Sequence, residues 1–239
     1  VGYYTVLVAE LVEPAGRVFA VEPNEKNFEI LVANTLSWQE EGRVEVFQTA
    51  LSDETGSANL FLNSRNCGMH RMYSSVVCTH ESVPVTVVRG DELQLEPLDF
   101  IKVDIEGYEP RAMRGLKQTL LNSPHVKILS EFSPFSMMEA NESPLRWLDW
   151  MSKLGFVPLS LDQGKWSSSA SSGLIDSVKK LDQVNFSALI RSLDGLDNVT
   201  ILDRVIQAGK SAGYNRPIVE NIFFVRHSEI ASIENLILN

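Results

Sequence analysis

Cysteine is scarce: Cys67 and Cys78 are the only two in 239 residues. Their spacing fits neither a metal knuckle nor a redox pair, so they read as reduced thiols of a cytoplasmic protein. The four histidines, His70, His80, His125 and His227, are scattered, with no HExxH or HxH pattern. No zinc site follows, and no bound metal is expected. Positive charge is in deficit: Lys plus Arg is 21 against 31 for Asp plus Glu, a net charge of −10. With no Lys/Arg run, such a surface repels phosphate backbones and anionic lipid, which argues against nucleic acid or a membrane as partner. No apolar stretch reaches the roughly 20 residues that span a bilayer. No leader pattern is visible, and the sequence opens on Val1.

What is present is alternation. Apolar runs of strand length fall at 17–22, 44–51, 58–62, 84–88, 99–105, 126–132, 156–161 and 220–226. Between them lie helical patterns: Tyr3, Leu7 and Leu11; the stretch after Pro23-Asn24; 109–121; and 144–154. The run DFIKVDI is apolar enough for burial on both faces of a sheet. The Ser-rich 164–173 reads as mobile, and 174–212 as two amphipathic helices. Strands alternating with helices predict an α/β fold with a mostly parallel sheet. Trp147 and Trp150 sit three apart on a helix and read as core packing, as does the pair Phe223-Phe224.

Sites in such folds lie at the carboxyl ends of strands. Glu22 ends one, 20 residues after Gly2. A carboxylate so placed binds ribose hydroxyls, or else caps the helix that follows. Leu51 and Asp53 close the next strand, and they either read an adenine edge or form a plain turn. The sharpest feature is Asp104-Ile105-Glu106-Gly107-Tyr108-Glu109, with three carboxylates at a strand end and a glycine for the tight turn. The helix dipole accounts for Glu109. Asp104, ending an apolar run, needs a cation: a ligand ammonium or sulfonium, or Lys102. A divalent metal is a further reading, without an evident fourth ligand. Glu131 ends the neighbouring strand. His70, with an ordinary pKa near 6.5, is either a general base or an exposed loop residue. Arg71 beside it is either a holder of the acceptor or an exposed cation.

With these residues in view, the sequence resembles the FkbM family of S-adenosyl-L-methionine-dependent methyltransferases. The matching stretches are GYYTVLVAE, GRVFAVEPNEKNFEILVAN, VFQTALSDETG, DFIKVDIEGYEPRAMRGL and ILSEFSP, in that order, with ENIFFVR as a closing strand. The resemblance implies a class I Rossmann-like sheet of seven strands, the last antiparallel, in a single domain over 1–239. It implies S-adenosyl-L-methionine as cofactor and a hydroxyl of a small molecule or sugar as acceptor. Gly2 looks like the last glycine of the family's cofactor loop, so the first strand and the rest of that loop are expected to lie ahead of Val1. Glu22 matches the ribose binder, Leu51, with Asp53 beside it, the adenine side, and Asp104 the residue facing the methionine end. Glu106 and Glu109 complete the acidic motif, and Asp104, His70 and Glu106 are the catalytic candidates. Arg71, Glu109 and Glu131 are expected on the acceptor side. The segment 163–219 reads as a helical insertion. Two other classes compete: a non-catalytic binding module of the same fold, and a nicotinamide-dependent dehydrogenase, which leaves the acidic motif unexplained.

Overall fold

A computed structural model describes residues 1–12, 14–79, 81–162 and 165–234. His80 and the start of the expected insertion, 163–164, lie outside the described residues. Helix α1 (Tyr3–Leu11) is followed by strand β1 (Val18–Val21), helix α2 (Glu25–Glu40) and strand β2 (Val44–Phe47). Asn24 starts α2 because its side chain accepts the Asn27 amide at 3.1 Å, satisfying a donor that the helix itself cannot. β1 and β2 pair in parallel. Strands β3 (Ala50–Ser52), β4 (Gly56–Phe61) and β5 (Ser82–Arg89) form a second, three-stranded sheet.

The expected single strand over 44–51 is therefore two strands in two sheets. Thr49 marks the switch: its hydroxyl donates to the Thr86 carbonyl at 3.0 Å and steers the chain onto β5.

The third sheet is the largest. It runs in the order β6 (Phe100–Val103), β7 (Lys127–Phe132), β10 (Glu220–Arg226), β8 (Phe156–Asp162), β9 (Lys165–Ser167). β6 and β7 are parallel, and β10 is antiparallel to both β7 and β8. The expected antiparallel last strand is thus present. Among the described residues no ladder joins β1–β2 to the larger sheet. β6 lies at an edge, and Phe100 is 44% exposed, so this strand is not buried on both faces.

The helix expected over 109–121 is two: α3 (Glu109–Gly115) and α4 (Lys117–Asn122). Gly115 lets α3 touch β3, since a Cβ there would stand 1.8 Å from the Ser52 carbonyl oxygen. α4 restarts because Asp91 accepts the amides of Gln118 and Thr119 at 3.0 and 2.8 Å. Helices α5 (Pro134–Glu139) and α6 (Pro144–Lys153) follow β7. The Ser-rich segment, expected to be mobile, is in regular structure from Lys165 on: it forms β9 and opens α7 (Ser168–Leu181), where the Ser171 hydroxyl donates to the Pro158 carbonyl of β8. Three helices, not two, precede β10: α7, α8 (Phe186–Leu193) and α9 (Asn198–Ser211). Leu174, Val178, Leu181, Leu193, Ile201 and Val205 bury into the same core as Phe132, Phe156 and Phe224. Trp147 stacks on Phe132 and meets Phe224 edge-on, which makes it core, as read from the sequence.

Candidate functional site

Strand ends supply the acidic rim. β6 stops at Val103, and the chain turns through Asp104, Ile105, Glu106 and Gly107 into α3. Glu106 has φ 60°, a left-handed backbone costing a non-glycine residue ~1–3 kcal/mol. Gly107 follows at φ 95°, and a Cβ there would lie 2.5 Å from the Ser136 carbonyl carbon. Glu109 is fully buried, and its Oε1 accepts the Ile105 amide at 2.8 Å, so it braces the turn from within. Burial pushes its carboxyl up to about 7.

One carboxylate oxygen from each of Asp104, Glu106 and Glu131 lies within 4.8 Å of the others. Their charges are compensated unequally. Asp104 is half-exposed rather than deep, and Lys102 donates to it at 2.8 Å. Glu106 accepts from Arg71 at 3.0 Å. Burial raises the Glu106 carboxyl, and the guanidinium works against that rise. Glu131, near the end of β7, has a buried Oε2 without a hydrogen-bond partner among the described residues. Burial first, then the charges of Asp104, Glu106 and Glu109, push its carboxyl up to about 8. Such a group holds a proton at neutral pH, and a cation brought close to it favours the charged form.

Glu22 follows β1 and accepts the Asn24 amide at 2.8 Å, so part of its carboxylate supports the α2 start. Burial raises its carboxyl, against the pull of the Asn24 and Asn27 donors. The loop between β4 and β5 touches both regions. Its Cys67 carbonyl accepts from Asn27 at 3.0 Å, and its Tyr73 hydroxyl donates to the Glu106 carbonyl at 2.5 Å.

The other sequence candidates are placed as follows. His70 accepts the Asn63 amide on Nδ1 at 3.0 Å, so the neutral ring carries its proton on Nε2 and offers a donor. Burial lowers its pKa. Arg71 is neither exposed nor pointed at solvent; it is 6% exposed and committed to Glu106 and Glu139. Leu51 packs against the main core. Asp53 belongs to a separate network, accepting from Arg114 Nε at 2.9 Å. Burial works against its ionisation, but Arg114 and then Arg111 hold the carboxyl below the usual range. Arg114 reaches Glu142 as well, at 2.7 Å. Gly2 caps α1 at φ 80°, packed close to Leu31. Sequence reading missed Glu139, Tyr73 and Ser75, the other partners of Arg71. Arg71 and Glu139 are 68 residues apart, and no local pattern links them.

No curated protein matches the chain. Among solved structures, it is similar to the crystal structure of a methyltransferase FkbM from Methylobacillus flagellatus KT, at 18% identity and a TM-score of 0.36. That match covers 54% of this chain and spans about 30% of the length of the other. The family model described as "Methyltransferase FkbM domain" matches residues 1–158, and on that match the chain belongs to the FkbM methyltransferase domain family.

Proposed function

We propose that the rim binds S-adenosyl-L-methionine and directs its methyl group to a hydroxyl oxygen of a small-molecule or sugar acceptor. The observation that carries this reading is the gathering of Asp104, Glu106 and Glu131 at the ends of β6 and β7, with one oxygen of Glu131 buried and unpaired. A donor set made only of carboxylates fits a sulfonium and an ammonium group. Asp104 and Glu106 would hold that end, and Glu22 the ribose hydroxyls. The bound cofactor supplies an electrophilic methyl on a positively charged sulfur.

The protein's share is positioning and one proton. Holding the acceptor oxygen in line for displacement contributes ~7–11 kcal/mol at best. An alcohol attacks poorly until its proton leaves, and a positioned base contributes ~10²–10⁴-fold. Glu131 is the group for this step. Its Oε2 takes the hydroxyl proton as the oxygen–methyl bond forms. A group ionising at about 8 is well matched to that task once a cation beside it favours the charged form. His70, with its Nδ1 lone pair engaged, would have to break the Asn63 bond to do the same.

The test is calorimetric titration of the full-length protein with S-adenosyl-L-methionine, S-adenosylhomocysteine and NAD, followed by acceptor screening with labelled methyl donor. The two sulfur nucleosides are expected to bind and NAD to fail. Glu22→Ala should weaken the first two about tenfold or more, the worth of a hydrogen bond to a charged group. Binding of NAD alone would end this reading. The same three oxygens also suit a hard divalent cation. A magnesium titration that outcompetes the sulfur nucleosides favours that occupant.

A further inference from the structure

Arg71 is among the most heavily committed side chains of the structure. Its backbone bridges Phe61 at the end of β4, with amide-to-carbonyl distances of 2.8 and 3.0 Å. Its Nη1 donates to the Tyr73 hydroxyl at 3.1 Å, to Ser75 Oγ at 3.0 Å and to Glu139 Oε2 at 2.8 Å. Its Nη2 donates to Glu106 Oε2 at 3.0 Å. Glu139 in turn accepts from the Ser75 hydroxyl at 2.8 Å and the Val76 amide at 2.9 Å.

The consequence falls on Glu106. Arg71 holds its carboxylate, and Tyr73, which Arg71 holds, grips its carbonyl. Both handles of a residue with left-handed backbone are therefore gripped from one loop. We propose that Arg71 is a positioning residue: by fixing Glu106 it sets the shape of the turn that carries Asp104, and it supplies the positive charge that balances the carboxylate beside Glu131.

The charged and titratable groups around this arrangement are few. Glu106, Glu139, Tyr73 and Cys78 face Arg71. Asp104, Glu106, Glu109 and Lys102 act on Glu131. Loss of the guanidinium leaves the Glu106 carboxylate beside Glu131 uncompensated, and like charge favours the protonated form of Glu131.

The proposal rests on the methyl-transfer reading only for its kinetic readout, so the experiment carries a second readout that is independent of turnover. Glu131 is followed by carbon NMR of its labelled carboxyl against pH in wild type, Arg71→Met, Arg71→Lys and Tyr73→Phe. Arg71→Met is expected to move the Glu131 ionisation upward by about one pH unit. In turnover it should lower kcat roughly tenfold or more, shift the pH profile the same way and change KM less. Arg71→Lys should restore the ionisation but not the full kcat, because charge returns without the planar fork. Tyr73→Phe should lower kcat with little change in ionisation. A folded Arg71→Met whose Glu131 titrates as in wild type overturns the proposal. If Arg71→Met fails to fold, Arg71→Lys decides: kcat equal to wild type overturns it, and a lowered kcat with wild-type ionisation supports it. A wild-type protein that transfers no methyl group ends the proposed function and leaves the NMR titration to judge Arg71.

Discussion

At the scale of single residues, one carboxyl differs from its neighbours. Lys102 answers Asp104 and Arg71 answers Glu106, whereas a buried oxygen of Glu131 has no hydrogen-bond partner among the described residues. Replacing Glu131 by Gln keeps the shape and removes the proton acceptor. We expect single-turnover methyl transfer to fall ~10²–10⁴-fold, with cofactor affinity changing far less. A rapid-quench comparison with wild type checks this, and equal rates would transfer the role to another group. Glu22, Asp104, Glu106 and Glu131 could be picked from the sequence because each ends a strand or nearly so, and strand ends are where α/β sheets place their chemistry. Arg71 was legible as a residue but not as a job. Its partners Glu106 and Glu139 arrive from 35 and 68 residues away. Asp53 shows the converse: a turn aspartate suited to a ligand is held by Arg114 from 61 residues along.

At the scale of elements, the turn between β6 and α3 is the demanding piece. Gly107 has a positive φ and sits against the Ser136 backbone, so a methyl group has neither the conformation nor the space. Gly107→Ala is expected to destabilise by ~2 kcal/mol or more, strain and overpacking together. Urea unfolding followed by circular dichroism measures it, and a change below ~0.5 kcal/mol would mean that the turn relaxes freely. Element existence read well from periodicity, and element ends did not. The helical pattern of 109–121 is continuous in sequence, yet Asp91 caps a fresh start at Gln118 and Thr119. The strand run of 44–51 is likewise continuous, and the bond from Thr49 to Thr86 divides it between two sheets. In both cases the dividing partner is remote, so a local window cannot see it.

At the scale of the whole molecule, the raised carboxyls link folding to pH. In the folded chain Glu131 ionises at about 8 and Glu109 at about 7, against an ordinary value of 4.5. The native state therefore binds more protons than the unfolded state across that interval. Stability is then highest below about 4.5 as far as these two groups are concerned, and it falls as pH rises through 7 and 8. Thermal unfolding across this range should show the decline, and Glu131→Gln should flatten its upper part. A wild-type melting temperature that rises over the same interval would contradict the assignment.

The β1–β2 pair and the five-stranded sheet share no ladder among the described residues. Side chains and one loop connect them: Arg17 to Glu96 at 2.8 Å, Asn27 to the Cys67 carbonyl, and Tyr73 to Glu106. The span from Glu22 to the carboxylate trio is thus bridged by side chains and a loop rather than by a backbone ladder. On the proposed reading, a molecule held at both ends would tie these parts together, and each half of it should favour binding of the other. Methionine is accordingly expected to bind more tightly when adenosine already saturates the protein, and affinities indifferent to each other would mean that the two ends act independently.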